Sequence, residues 1–295
     1  MTQSKSKKSK SRRSSRRGSG QSMSSRRGRP GKRSTGRDTG NVRTPSSKRG
    51  LGGQQVEGRQ AVRELLIAGT RNAKEITVNE DLERTGIVED ILHLASELRV
   101  PVRFVARRRI DTEATTESHQ GIIASAEPLK ESGLDTLLAV PDAFLLVLDG
   151  ITDPRNLGAI LRIAECSGVT GVVIGRHRAV HVTPSVTKTA AGAVEYLPIC
   201  LVGGIPTAIS DMKKARVATI GLDGSGITSI FDQSVGVKGP VALVLGAEGA
   251  GMSKLVKQRV DVVASIPLAG QLGSLNVATA ASVACYEIVR KRNSE

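Results

Sequence analysis

The strongest constraint on this chain is a series of short, almost wholly apolar runs: "AFLLVLDG", "GVVIG", "YLPICLV", "VATIGL", "VALVLG" and "VVASIPL". A strand that faces water on one side alternates apolar and polar residues. A strand that is apolar at successive positions is covered on both faces, as in a parallel sheet packed between helices. Helical segments such as "NLGAILRIAECSG" and "IPTAISDMKKAR" separate most of these runs, and "NVATAASVACYEIVRKR" closes the chain. The alternation predicts an α/β fold with a parallel sheet over residues 142–295. A smaller α/β module is predicted over 53–130, joined by a linker at 131–141. Its first helix carries Val62, Leu65, Leu66 and Ala68 on one stripe and stops at Gly69. Strands at "KEITVNE", "PVRFVA" and "HQGIIASAEPL" follow, with a helix at "IVEDILHLASELRV" and a partly helical "RRRIDTEATTES".

The formal charge of +15 is not a property of the whole chain. Residues 1–50 hold 17 Lys/Arg and one acid, whereas the remaining 245 carry 26 basic and 27 acidic residues. The Ser-, Gly-, Lys- and Arg-rich segment 1–52 buries too little apolar surface to offset its conformational entropy, so disorder is expected. It reads as a polyanion-binding arm, most naturally for RNA, or as a solubilising extension. It lacks the apolar stretch of a secretory signal, and transit peptides are usually more amphipathic. With no Trp, three Phe and two Tyr, the interior must be built from Val, Ile, Leu and Ala. Cys166, Cys200 and Cys285 lack metal-ligand spacing and sit in apolar stretches, which predicts buried free thiols and no metal site. No run approaches the ~20 apolar residues that span a bilayer, so a soluble cytoplasmic protein is expected.

Three polar loops follow apolar strands: "LDGITDPRNLGAILR", "LVLGAEGAGMSK" and "IPLAGQLGSLNVATAAS". Strand ends in open α/β sheets are where ligands bind. The glycines of the second loop fit neither a P-loop, since Gly251 precedes Met252 and Ser253, nor the Rossmann fingerprint. Taken singly, each polar residue has an ordinary reading. Asn156 and Glu248 suit helix starts, Ser274 and Asn276 suit a turn and a cap, and Arg162 suits a salt-bridged surface.

Together, and in this order, "DPRNLGAILR", "LGAEGAGM" and "IPLAGQLGSLNVATAAS" resemble the three motifs of the SpoU (TrmH) family of RNA 2′-O-ribose methyltransferases, within the SPOUT class. The likeness is close over residues 144–290, and the module at 53–130 is similar to the small RNA-substrate-binding domain of the ribosomal-RNA branch. The resemblance implies a deep trefoil knot at the C-terminus, a homodimer formed through the knotted domain, and S-adenosylmethionine as cofactor. It implies that Gly246, Ile266 and Leu275 hold that cofactor through their backbone, with Gly221 and Leu268 nearby. It implies a catalytic cluster of Asn156, Arg162, Glu248, Ser274 and Asn276, and RNA contacts at Lys188 and Arg155. Arg176, His177, Arg178 and His181 read either as lining an RNA path or as covering a loop. The expected substrate is a guanosine ribose of large-subunit rRNA. The alternatives are an rRNA adenosine (antibiotic resistance), a tRNA, or a noncatalytic assembly role.

If the extension is an RNA-binding arm, deleting residues 1–50 flattens the salt dependence of RNA affinity, since the slope counts neutralised phosphates. A filter-binding titration at several salt concentrations reads that slope, and an unchanged slope retires the arm.

Overall fold

The computed structural model describes residues 50–177 and 179–294. The basic extension, except its last residues, and Arg178 lie outside the described residues. Ordered packing begins earlier than the sequence pattern suggests. Leu51 is buried, and Gly52 pairs with Val182, whose amide donates to the Leu51 carbonyl at 3.0 Å. Only glycine fits there, because a Cβ on Gly52 would lie 2.5 Å from the Val182 carbonyl oxygen and its φ is +95°.

The smaller sheet uses β1 (Gln55–Glu57), β2 (Ala73–Asn79), β3 (Val102–Val105) and β4 (Ile122–Ala126) in the order β1-β4-β2-β3. β4 runs antiparallel to β1 and β2, and β2 is parallel to β3. α1 (Arg59–Ala68) and α2 (Ile87–Glu97) cover one face with Val62, Leu65, Leu66, Val88 and Ile91, against Val56, Ile76 and Ile122. α3 (Arg107–Glu113) puts Ile110 against Val105 and Ile123 on the other face. α1 ends where Gly69 takes the left-handed conformation at φ 57°. β1 was not expected as a strand, because three residues with a glutamate in the middle of a core carry no pattern. Glu57 is fully buried and stays satisfied by accepting from the amides of Thr115 and Thr116 at 2.6 and 2.9 Å and from Gln55 at 2.7 Å.

The expected linker is not free chain. It holds α4 (Leu134–Leu138), whose buried Leu137 occupies the space a side chain at Gly171 would need. Glu131 pairs with Arg176 at 2.7 Å, and the Ser132 amide donates to Ile199 at 2.8 Å.

The larger sheet is wholly parallel. It contains β5 (Phe144–Asp149), β6 (Gly171–Gly175), β7 (Ile199–Val202), β8 (Ala218–Leu222), β9 (Thr228–Ser229), β10 (Val241–Gly246) and β11 (Val262–Ser265), ordered β7-β6-β5-β10-β8-β11-β9. The helices are α5 (Pro154–Cys166), α6 (Pro184–Thr189), α7 (Ile205–Lys214), α8 (Lys254–Arg259) and α9 (Val277–Asn293). Alternate residues of one strand serve two cores: Leu146 and Leu148 meet Leu157, Leu161 and Ala281, while Leu145 and Val147 join Ile209, Met212 and Val256. This is why the runs are apolar throughout. β10 lies centrally, with Gly246 beside Asp149 of β5 and Leu245 beside Leu222 of β8. The C-terminal ends of these strands are therefore level.

Two buried cations join distant stretches. Lys291, in the last turn of α9, donates to the carbonyls of Ile230, Asp232 and Val235, so the segment after β9 wraps the helix end. Arg71 makes a two-pronged pair with Glu195, at 2.8 Å from Nε and 2.6 Å from Nη2, and also donates to the carbonyls of Gly53 and Glu127. Both side chains are buried, so the small sheet is bolted to the 3-10 turn at Ala193–Glu195. Of the thiols, Cys200 and Cys285 are buried as expected, but Cys166 is exposed because it falls on the outer side of α5 at its end. Among the described residues no helix is long and apolar enough to cross a membrane, and no three His, Cys, Asp or Glu side chains group as a metal site.

Removing one partner of a buried pair strands the other charge. Arg71→Leu is expected to cost about 3–5 kcal/mol in urea denaturation. The double variant Arg71→Leu/Glu195→Leu should recover most of that loss.

Candidate active site

The site begins where β10 runs out. Gly246 admits a reversal that no side chain would permit: a Cβ there would fall 2.1 Å from the Gly251 carbonyl carbon and the Met252 nitrogen. Ala247 and Gly251 close the turn through reciprocal amide–carbonyl bonds of 3.1 and 2.8 Å. Glu248 sits at its tip, exposed. The turn is pinned to the neighbouring strand by Asp149, whose carboxylate accepts the Ser253 amide at 2.8 Å. Ser253 is the N-cap of α8, so Glu248 is not a helix-capping acid.

Nor does Asn156 cap α5. That position belongs to Asp153, which accepts the Arg155 amide at 2.8 Å ahead of Pro154 in the first turn. Asn156 is buried in the helix proper and donates from Nδ2 to Glu248 Oε2 at 2.7 Å. Its Oδ1 accepts from Asn276 Nδ2 at 3.0 Å. Asn276 is the N-cap of α9, and its Oδ1 takes the amides of Ala278 and Thr279 at 2.8 and 3.4 Å. Each amide can thus face only one way. The free N–H groups of α9 claim the Asn276 oxygen, which leaves its NH2 for Asn156, whose own NH2 is left for Glu248. One residue from each of the three polar loops meets here.

Beside this network lies a cavity of about 490 Å³, bounded by the ends of β8 and β10, the turn at 247–251 and the segment 266–277. That volume falls in the ~300–1,000 Å³ range of small-molecule sites. Gly246, Ile266, Leu268 and Leu275 line it, as do Glu248, Ser274 and Asn276. The lining is rich in glycine and backbone, and nothing stands within 4 Å of the missing side chains of Gly249 and Gly273.

Other expected residues lie elsewhere. Gly221 faces away from the cavity, where a Cβ would sit 2.6 Å from Met252 Cε; it makes room for core packing, and its neighbour Leu222 does the lining. Arg162 is exposed on α5 and outside the lining, six residues beyond Asn156 and so about 240° round the helix. Arg155 is exposed at the start of the same helix. Lys188 of α6 donates to the Ser118 hydroxyl, linking the larger sheet's layer to the smaller module. Arg176 is held by Glu131 and by the Leu201 carbonyl.

Two charged residues of the cavity wall were not singled out from sequence. Asp223, just past β8, accepts Lys257 Nζ at 2.8 Å and the hydroxyl and amide of Ser225 at 2.6 and 3.0 Å. Burial alone would raise its pKa, but Lys257 and Ser225 outweigh that and hold the carboxyl at about 2. A signal existed: Leu-Asp-Gly ends two of the apolar runs, at 148–150 and 222–224, and both aspartates anchor this site.

Residues 143–286 match the model of the SpoU rRNA Methylase family, and residues 55–132 match that of RNA 2′-O ribose methyltransferase substrate binding. The chain is 36% identical over 244 residues to the 23S rRNA (guanosine-2′-O-)-methyltransferase RlmB of Haemophilus influenzae, covering 81% of this chain and 98% of the relative. The RlmB of Pseudomonas putida is 35% identical over 245 residues, covering 81% and 97%. Among solved structures, the SpoU methyltransferase AviRb of Streptomyces viridochromogenes in complex with AdoMet superposes with a TM-score of 0.68 at 26% identity, over 81% of this chain and 90% of that one. The chain therefore belongs to the SpoU rRNA methylase family.

Proposed function

We propose that this protein transfers a methyl group from S-adenosylmethionine to the 2′-hydroxyl of a guanosine ribose in large-subunit ribosomal RNA. The observation that carries the reading is the Asn276–Asn156–Glu248 chain standing at the edge of a glycine-lined cavity. The cavity fits the cofactor: it has the volume of a small-molecule site, backbone amides and carbonyls to read an adenine edge, and carboxylates that tolerate a cation. Leu222, Gly246, Ile266, Leu268 and Leu275 would hold it. When bound, the cofactor supplies an electrophilic methyl on a sulfonium, so no metal is required to activate the donor.

A ribose hydroxyl is a weak nucleophile at neutral pH, so the protein's task is to position it and help remove its proton. Glu248 is held through Oε2 by Asn156, which leaves Oε1 for the incoming hydroxyl. Ser274, exposed on the cavity wall, offers a second polar contact to the ribose. Arg162, a guanidinium with donors and no acceptor, serves as a phosphate clamp and as electrostatic support for the developing alkoxide.

Arg162 lies outside the cavity of its own chain, and in a homodimer paired through the knotted domain it would serve the cavity of the second copy. Tyr286 of α9, half exposed, lies over the end of α5 with its hydroxyl on the Cys166 carbonyl at 3.4 Å, so the same face is partly apolar. A trefoil knot in residues 142–295 would thread the segment that ends in α9, whose last turn is tied to the carbonyls of Ile230, Val237 and Gly239. Residues 53–130 would then present the RNA, with Lys188 and Arg155 near its path and the basic extension adding affinity, all in the cytoplasm where ribosomes are assembled.

Methyl incorporation from radiolabelled S-adenosylmethionine into rRNA of a matching deletion strain, mapped by ribose-methylation sequencing, tests the reading; one new site in large-subunit RNA is expected. Arg162→Ala should lower kcat about 10²–10³-fold, the scale of losing one transition-state donor, while cofactor affinity stays within twofold. Equal losses of both remove Arg162 from the chemistry. Asn156→Asp exchanges the Glu248 donor for a like charge, which raises carboxyl pKa values. The acid limb of the single-turnover pH–rate profile should therefore move to higher pH, and a profile that only falls in height denies the link.

A further inference from the structure

The charged pair in the cavity wall has no part in the methyl-transfer scheme, yet it is built with care. Asp223 projects from the end of β8 into a slot that exists because residue 251 is glycine: a Cβ there would lie 2.7 Å from Asp223 Oδ2. The Asp223 side chain is 10% exposed and its two oxygens are taken by Ser225 and Lys257. The Lys257 side chain is one-third exposed, and its ammonium lies 2.8 Å from Asp223 and 3.5 Å from the Ser225 hydroxyl. An ammonium has three N–H donors, so one remains for a ligand.

Among the described residues, Lys257 is the one cation lining the cavity, beside two carboxylates, Asp223 and Glu248. S-adenosylmethionine carries the reverse set: two positive groups, the sulfonium and the α-ammonium, and a single carboxylate. Charge-assisted hydrogen bonds to a carboxylate are about twice as strong as neutral ones. A lysine already oriented by a fixed aspartate loses little freedom in making one more.

We propose that Lys257, positioned by Asp223, is the residue that binds the α-carboxylate of the cofactor's amino-acid arm and so selects the intact cofactor over nucleosides that lack that group. The inference rests on the cofactor reading above. The backbone around 246, 266 and 275 reads the base, and Lys257 reads the far end of the molecule. Asp223 acts through the lysine, as a positioning residue.

Isothermal titration of the full chain with S-adenosylmethionine and with its decarboxylated form, which differs only in the carboxylate, tests this. The wild type should bind the intact cofactor about tenfold or more tightly than the decarboxylated one. Lys257→Met should lose that discrimination by weakening only the intact cofactor, and Lys257→Arg should keep part of it. Because Lys257→Met leaves Asp223 unpaired, the double variant Lys257→Met/Asp223→Asn serves as a second test and should show the same collapse. Equal weakening of both ligands would make the pair a structural brace and overturn the proposal. Undiminished affinity for S-adenosylmethionine would do so too, and weakened RNA binding in that variant would then assign the lysine to a phosphate. A wild-type protein that binds neither ligand overturns the cofactor reading itself, and this proposal with it.

Discussion

Asn276 spends its carbonyl oxygen on the first free N–H groups of α9, and from that commitment the polarity of the whole site follows. The helix end presents donors and must be met by an acceptor. The amide left over donates to Asn156, which in turn donates to Glu248. The orientation of three side chains is set by a helix terminus before any ligand arrives. A site so arranged is preorganised, which is where electrostatic catalysis gains most.

The network requires α9 to start beside α5 and β10, although β11, which precedes it, lies two strands away from β10 in the sheet. The segment 266–276 must therefore cross back over the ends of β8 and β10, and in crossing it roofs the cavity. The far end of α9 is held by Lys291 and Arg292, which supply donors to carbonyls at 230–239 and 142–143. Fixing both ends of one helix positions both the capping asparagine and the roof. The Arg71–Glu195 bolt does the corresponding work for the smaller sheet, holding it against the layer that carries α6.

All strands of the larger sheet except the two-residue β9, the helices α1, α2, α5, α7 and α9, and the three polar loops were legible in the residues, because burial on two faces and helical stripes leave strong periodic traces. β1 and α4 were not: they are three and five residues long and hold their places through Glu57 and Leu137, whose burial no local pattern announces. The motif residues Asn156, Glu248 and Asn276 were recognised by order and spacing, but which of them caps a helix was not. Asp153 and Ser253 took the caps expected of Asn156 and Glu248, since capping depends on where the chain turns, within one or two residues. Gly221 and Leu222 differ by one position and therefore by a whole face of the sheet.

Composition and periodicity by themselves determined an α/β chain with a parallel sheet, an interior of aliphatic side chains, a strongly basic first fifty residues and polar residues gathered at strand ends. Only the tertiary structure decided that Asn156, Glu248 and Asn276 touch, that Arg162 stands outside the cavity, that Lys188 is tied to Ser118, and that Asp223 and Lys257 share its wall. The reason is physical. Burial on a strand or helix is written into neighbouring residues, whereas contacts across 92 and 120 positions of chain depend on strand order, and no local preference encodes that order.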